Sequence, residues 1–227
     1  MQPTLIAIET STVACSAALL YQGNITERYI TEPRQHAFRL LPFIDELLIE
    51  AGISLCQCDA IAFGAGPGSF TGARIAVSVA QGLAYGCGKP VVSVSSLNAL
   101  AQSVYRLHHA HEVLIAMDAR MQEVYVGHYR VDELGIMRAL CDDSLVAAEQ
   151  FSFPCSLELQ YVGDGWQTYD ILKKKINELS LKNINSEIYP HAFDVAVLAA
   201  DLFKLGKKID PQLATPTYLR DKVTHGS

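Results

Sequence analysis

Two acidic residues close apolar runs: Glu9 after Leu5-Ile6-Ala7-Ile8, and Asp118 after Val113-Leu114-Ile115-Ala116-Met117. Strand ends are where α/β sheets hold ligands, and in a duplicated phosphotransferase fold such acids hold a metal ion or orient a water. Either could instead accept backbone N–H bonds in its own turn, and position alone leaves both readings open. The third chemical feature is the loop Gly64-Ala65-Gly66-Pro67-Gly68-Ser69-Phe70-Thr71-Gly72. No Lys follows it, so it is not a Walker A loop, and Ser69 stands where a dinucleotide fingerprint needs its third glycine. It runs from a strand into a helix, with Ser69 and Thr71 as caps or donors. Such a segment reads as an anion nest or as a tight turn that needs glycine dihedrals.

Other reactive side chains are less telling. His108, His109 and His111 crowd a helix-to-strand connection, but no two histidines lie four apart, so no helix offers a His-x3-His metal pair. There is no Gly-x-Ser-x-Gly and no evident Cys–His pair, which leaves hydrolase chemistry without a nucleophile. Six cysteines stand at 15, 56, 58, 87, 141 and 155. None forms a CxxC, several lie in apolar runs, and they read as reduced thiols in a cytoplasmic protein. The clusters at Lys173-Lys174-Lys175 and Lys207-Lys208 read as solvated helix faces.

The elements that must position these groups follow from periodicity. Strands are expected over 5–8, 15–21 and 25–30, with Gln22-Gly23-Asn24 as a hairpin turn. A helix is expected over 36–51, a buried strand over 59–63, a helix from the glycine loop to 86, a strand over 91–94 and a helix over 97–107. Strands over 113–117 and 123–131 repeat the opening, with an acid in a tight turn between them. One helix over 166–179 and one over 193–205 complete the pattern. An α/β chain with a duplicated strand–acid–strand module suggests two similar subdomains, 1–106 and 107–227, meeting at a cleft.

Composition sets outer bounds. Of 227 residues, 50% are hydrophobic and 19% charged, enough for a sizeable core. The net charge of −6 makes the chain a poor grip for nucleic acid on its own. Residues 1–10 lack the basic start of a secretory signal, and the apolar stretch over 73–87 carries Arg74 and Gln81, so no membrane span is expected.

Two helices add a further expectation. Apolar residues over 37–51 spread around more of the circumference than one core-facing stripe needs. Ala73, Ala76, Ala80 and Ala84 form a small-residue ridge that admits a close helix. A partner surface is the favoured reading.

Several motifs, in order along nearly the whole chain, resemble the bacterial TsaB (YeaZ) family. They are Ile8-Glu9-Thr10-Ser11, Arg34-Gln35-His36 with Leu40-Leu41-Pro42, Gly66-Pro67-Gly68-Ser69-Phe70-Thr71-Gly72-Ala73-Arg74-Ile75, Met117-Asp118-Ala119-Arg120-Met121-Gln122-Glu123-Val124-Tyr125, and Pro216-Thr217-Tyr218-Leu219-Arg220. The resemblance implies the actin-like fold of the hexokinase and heat-shock-chaperone superfamily, with mixed sheets flanked by helices. It implies a role in making threonylcarbamoyladenosine beside the tRNA anticodon, as a non-catalytic subunit that binds and activates the paralogue TsaD. The ATPase TsaE joins that complex, tRNA is met only through it, and the chain alone pairs with itself. The implied partner surface is His36, Leu40, Leu41, Ile44, Leu48, Thr71, Arg74, Ile75, Ser78, Val79, Gly82 and Leu83. Glu9, Thr10, Ser11, Gly66, Gly68, Ser69, Gly72 and Asp118 then read as remnants of nucleotide loops. No metal or cofactor is required of this chain, a weak or interface-shared ATP or ADP being left open. The alternatives are an autonomous ATP-dependent small-molecule kinase or ATPase and, more distantly, a glycoprotease-like metallopeptidase.

Overall fold

The run Leu5–Glu9 (β1) is buried at every position, as a strand covered on both faces must be. In the computed structural model, which describes residues 2–152, 159–179, 182–183 and 187–220, β1 lies between an antiparallel and a parallel neighbour. Cys15–Tyr21 (β2) pairs antiparallel with it, and Asn24–Ile30 (β3) extends the hairpin. Ala60–Gly64 (β4) and Val91–Val94 (β5) add in parallel on the other side, giving the order β3-β2-β1-β4-β5. Period-two alternation then sorts the side chains. Ile6 and Ile8 face His36–Ala51 (α1) and Phe70–Cys87 (α2), while Leu5 and Ala7 face the late helix Ala192–Lys204 (α6).

The second sheet repeats this plan. Glu112–Asp118 (β6) pairs antiparallel with Glu123–Val131 (β7), which carries Met137–Ala139 (β8). Leu159–Val162 (β10) and Lys182–Asn183 (β11) add in parallel beyond β6. Counted from its own first strand, the order is again 3-2-1-4-5, so the duplication extends from the opening hairpin to five strands: the actin-like fold. Ser144–Ala147 (β9) pairs with β7 outside this path. Ser96–His108 (α3), capped by Ser95, packs on the second sheet through Leu97, Leu100 and Val104. It is tied to α6 where Arg106 and Ser103 bind the fully buried Asp194 carboxylate.

Several sequence expectations need correction. The single helix over 166–179 is two, Gly165–Thr168 (α4) and Asp170–Leu179 (α5), because Tyr169 is extended between them. Strands β8 and β9 carry no alternation long enough to be read. The alanine ridge faces inward: Ala76, Ala80 and Ala84 are fully buried in the chain's own core and let α2 approach its sheet. Not all cysteines are free. Cys56, on the short turn Leu55–Gln57, is disulfide-bonded to Cys87 at the end of α2, with Cα atoms 5.0 Å apart. Cys15 and Cys58 are buried thiols, Cys141 is exposed, and Cys155 lies outside the described residues. Among the described residues no helix is long and apolar enough to cross a membrane.

Candidate functional site: a groove and a cleft

The glycine loop and the β1–β2 turn meet face to face. Thr10 Oγ1 donates to the Gly72 carbonyl at 2.7 Å, and the Ser69 amide donates to the Ser11 carbonyl at 2.6 Å. A Cβ on Gly72 would stand 1.9 Å from the Thr10 carbonyl oxygen, and one on Gly68 2.5 Å from that of Ser11. The glycines therefore serve the approach of two backbones. Ser69 caps α2 by accepting the Gly72 amide, and the Gly66 amide donates to Ser96 Oγ. These contacts join the two loops within the chain, and Ser11, Gly68 and Ser69 of the pair also line the cleft between the two halves.

Glu9 takes the structural alternative. Its carboxylate is buried, accepting the Ser11 amide at 2.6 Å and the Ser96 hydroxyl at 2.7 Å. Burial raises its pKa, and the bonds from Ser11 and Ser96 only partly offset that shift. Asp118 differs. It lines a cleft of about 960 Å³ between the two halves, accepts the Arg120 amide at 2.8 Å, and accepts the Tyr169 hydroxyl at 2.6 Å. Burial, followed by this bond and the Asp118 charge, pushes Tyr169 up to about 12. The two acids thus stand in different environments: one inside the first half, one on the cleft wall.

Beside Asp118 lies a feature that carries no sequence signal. Arg120, Met121 and Gln122 have φ of 64°, 56° and 61°, three left-handed residues in a row without glycine. Each costs about 1–2 kcal/mol, and such strain persists only where the surroundings impose it. The restraints include the Glu123 amide on the Arg120 carbonyl, the Ala119 amide on the Glu123 carbonyl, the Ala148 amide on the Gln122 carbonyl, the Arg120 amide on the Asp118 carboxylate, and Arg220. Arg220 donates to the Ala119 carbonyl at 3.0 Å and binds the Glu123 carboxylate.

A second cavity, about 460 Å³, runs between α1 and α2. Its walls are Leu40, Leu41, Ile75 and Val79, with Thr71, Arg74 and Ser78 along the rim. His36 and Phe70 line both cavities, so groove and cleft share a wall. The groove is apolar, and the helices that form it carry further exposed apolar side chains: Phe38 and Ile49 on α1 and Phe70 on α2 are 74%, 80% and 61% exposed. Pro42, inside α1, has no N–H to offer the Phe38 carbonyl on the exposed side of the helix. Arg74 stacks on Phe70, its guanidinium carbon 3.4 Å from the ring centre, and donates to the Tyr218 hydroxyl at 2.9 Å.

The expected partner residues divide accordingly. His36, Leu40, Leu41, Thr71, Arg74, Ile75, Ser78 and Val79 line the groove. Ile44 and Leu48 do not, because they are buried in the core beneath α1. Gly82 is exposed one turn beyond the groove, and Leu83 packs on the core. His36 also anchors the start of α1, its Nε2 lying 2.9 and 3.1 Å from the carbonyls of Thr12 and Ala14. His108, His109 and His111 are exposed, and among the described residues no cluster of three or more His, Cys, Asp or Glu could hold a metal.

Known proteins share this architecture. A family model described as TsaD, tRNA N6-adenosine threonylcarbamoyltransferase, matches residues 27–225. The tRNA threonylcarbamoyladenosine biosynthesis protein TsaB of Escherichia coli K12 is 39% identical over 222 residues, 96% of this chain and 95% of that protein. Its counterpart in Haemophilus influenzae is also 39% identical, over 97% of this chain and 95% of that protein. The solved structure of YeaZ from Pseudomonas aeruginosa superimposes with a TM-score of 0.84 at 40% identity, covering 96% of this chain and all of that one. The chain belongs to the TsaB (YeaZ) family.

Proposed function

We propose that this chain takes part in threonylcarbamoyladenosine biosynthesis as a non-catalytic, activating subunit that docks TsaD on the α1–α2 groove. The relatives named above as TsaB are biosynthesis proteins of this modified nucleoside, and the matching family model carries the transferase's description. The observation that carries the reading is the groove itself. Leu41 at its edge and the flanking Phe38 and Phe70 leave apolar surface in water that a partner helix would cover. Arg74, held flat on Phe70, supplies an oriented cation at the rim, the kind of residue that anchors interfaces.

The remaining roles follow from this reading. A second copy pairs through the same face when TsaD is absent, and TsaE joins the assembled pair. With a net charge of −6, the chain meets tRNA only within the complex. It needs no cofactor of its own; Glu9 is enclosed by Ser11 and Ser96 in the first half. Any ATP or ADP is held weakly or shared with the partner. The complex works in the cytoplasm.

Sedimentation of the chain with and without TsaD, with ATP hydrolysis read on the same samples, tests the proposal. A tight heterodimer and no turnover by this chain alone are expected. Failure to associate, or turnover by the isolated chain, overturns it in favour of an autonomous kinase or ATPase centred on Asp118.

A further inference from the structure

Residues 214–220 run as a strap along the side of the molecule where groove and cleft meet. Gln81 of α2 donates to the Ala214 carbonyl, and the Thr217 amide donates to the Ala65 carbonyl at 2.8 Å, just past the end of β4. Tyr218 accepts the hydrogen bond from Arg74 on the groove rim. Two residues later Arg220 crosses to the other half, holding the Ala119 carbonyl, the Glu123 carboxylate and, at 3.4 Å, the Met121 sulfur. One short segment thus touches the rim of the docking groove through Tyr218 and clasps the left-handed turn through Arg220, while residues 217–220 line the cleft.

We propose that residues 214–220 are a relay: an occupant of the groove is sensed at Arg74–Tyr218 and passed by Arg220 to the turn at 120–122, which sets the cleft wall. The trigger rests on the docking reading above, but the coupling between strap and turn does not. The physical warrant is the strain held in the turn. Three adjacent non-glycine residues at positive φ are kept by restraint, and Arg220 supplies part of that restraint from outside the β6–β7 hairpin. Arg74 and Phe70 line the groove, so a partner seated over that end meets the Arg74 side chain directly. Because Arg74 is shared between the Phe70 ring and the Tyr218 hydroxyl, moving it changes the strap's hold. Arg220 is accordingly a positioning residue for the cleft wall that bears Asp118 and Arg120.

Hydrogen exchange of the Ala119 and Glu123 amides, both bonded within the turn, reads the relay directly. In the free chain, Tyr218→Phe removes only the hydroxyl that Arg74 bonds, and exchange at these two amides is expected to rise about threefold to tenfold, the equivalent of one hydrogen bond. Arg220→Ala is expected to raise it further, and Arg220→Lys to restore it only in part, because a lysine cannot bridge carbonyl and carboxylate with a planar fork. A Tyr218→Phe effect confined to residues 214–219 overturns the coupling. With TsaD added to the wild-type chain, protection of α1 and α2 should come with a change at Ala119 and Glu123 that Tyr218→Phe abolishes. Protection of α1 and α2 with no change at the turn overturns the relay. No protection of α1 and α2 at all refutes the docking reading instead, while the free-chain comparison still decides the coupling.

Discussion

Leu41 and Ile44 lie three residues apart on α1, yet an aspartate should do opposite things at the two positions. Ile44 is 2% exposed, packed in the core beneath the helix. Ile44→Asp would strand a carboxylate there without a partner, a loss of about 4–5 kcal/mol or more. That approaches the whole stability of an ordinary domain, so the variant should fail to fold. Leu41 is 47% exposed at the edge of the groove. In the free chain an aspartate there stays in water, and stability should move by less than about 1 kcal/mol. In the complex, covering the exposed half of a leucine is worth about 1–2 kcal/mol at roughly 25 cal/mol/Å². Burying an unpaired charge in its place adds about 3–5 kcal/mol. Together these weaken docking by about a thousandfold or more. The assay is denaturant unfolding of each variant alone, followed by calorimetric titration with TsaD. A Leu41→Asp chain that is stable and binds like wild type would refute the groove as the docking face.

Three further outcomes follow from single contacts. Gly72→Ala drives a methyl into the Thr10 carbonyl 1.9 Å away, so the two loops must part. A loss of about 2–4 kcal/mol, or roughly 4–16 °C in Tm, is expected, whereas Gly82→Ala meets nothing within 4 Å and should gain up to about 1 kcal/mol of helix propensity. Equal Tm values for the two variants would sink the loop–loop account. Burial holds the Glu9 pKa above its ordinary value near 4.5, so the folded chain keeps that proton to higher pH than the unfolded chain. The stabilisation is complete below the ordinary value and is lost as pH rises through the raised one. Glu9→Gln should therefore flatten the fall in stability above pH 4.5 seen by denaturation at stepped pH, and parallel curves would refute the assignment. Reducing Cys56–Cys87, which spans 31 residues, should cost about 3–4 kcal/mol through the freed unfolded chain. Cys56→Ser should show the same loss and no response to reductant.

What could be read from residues and what could not divides along a physical line. The helix over 36–51 and the strand over 123–131 match α1 and β7 to the residue, because each carries its whole period within itself. Strands β8 and β9, three and four residues long, are made by pairing with β7, and no local pattern marks them. Tyr169 breaks a helix that its neighbours favour, and its hydroxyl reaches Asp118 from 51 positions away. The disulfide is of the same kind: Cys56 and Cys87 meet only once α2 lies against the turn before β4.

The candidate site shows the limit most clearly. The spread of apolar residues around α1 correctly marks a helix with two apolar faces, but periodicity does not say which face is the core. Ile44 and Leu48 fall inside, Leu41 outside, and the alanine ridge of α2 serves the chain's own sheet. Glu9 and Asp118 look equivalent as acids at strand ends. Ser11 and Ser96 close over the first, while Tyr169 and Arg120 leave the second on the cleft wall. Duplication thus supplied two copies of one scaffold, and long-range partners gave each acid its environment. The left-handed turn extends the argument. Arg-Met-Gln carries no glycine or asparagine to announce positive φ; its restraint includes Arg220, about a hundred residues away, so local sequence cannot show it. A strained conformation imposed from a distance is also one that a distant contact can release, which is why the strap and the groove have to be understood together.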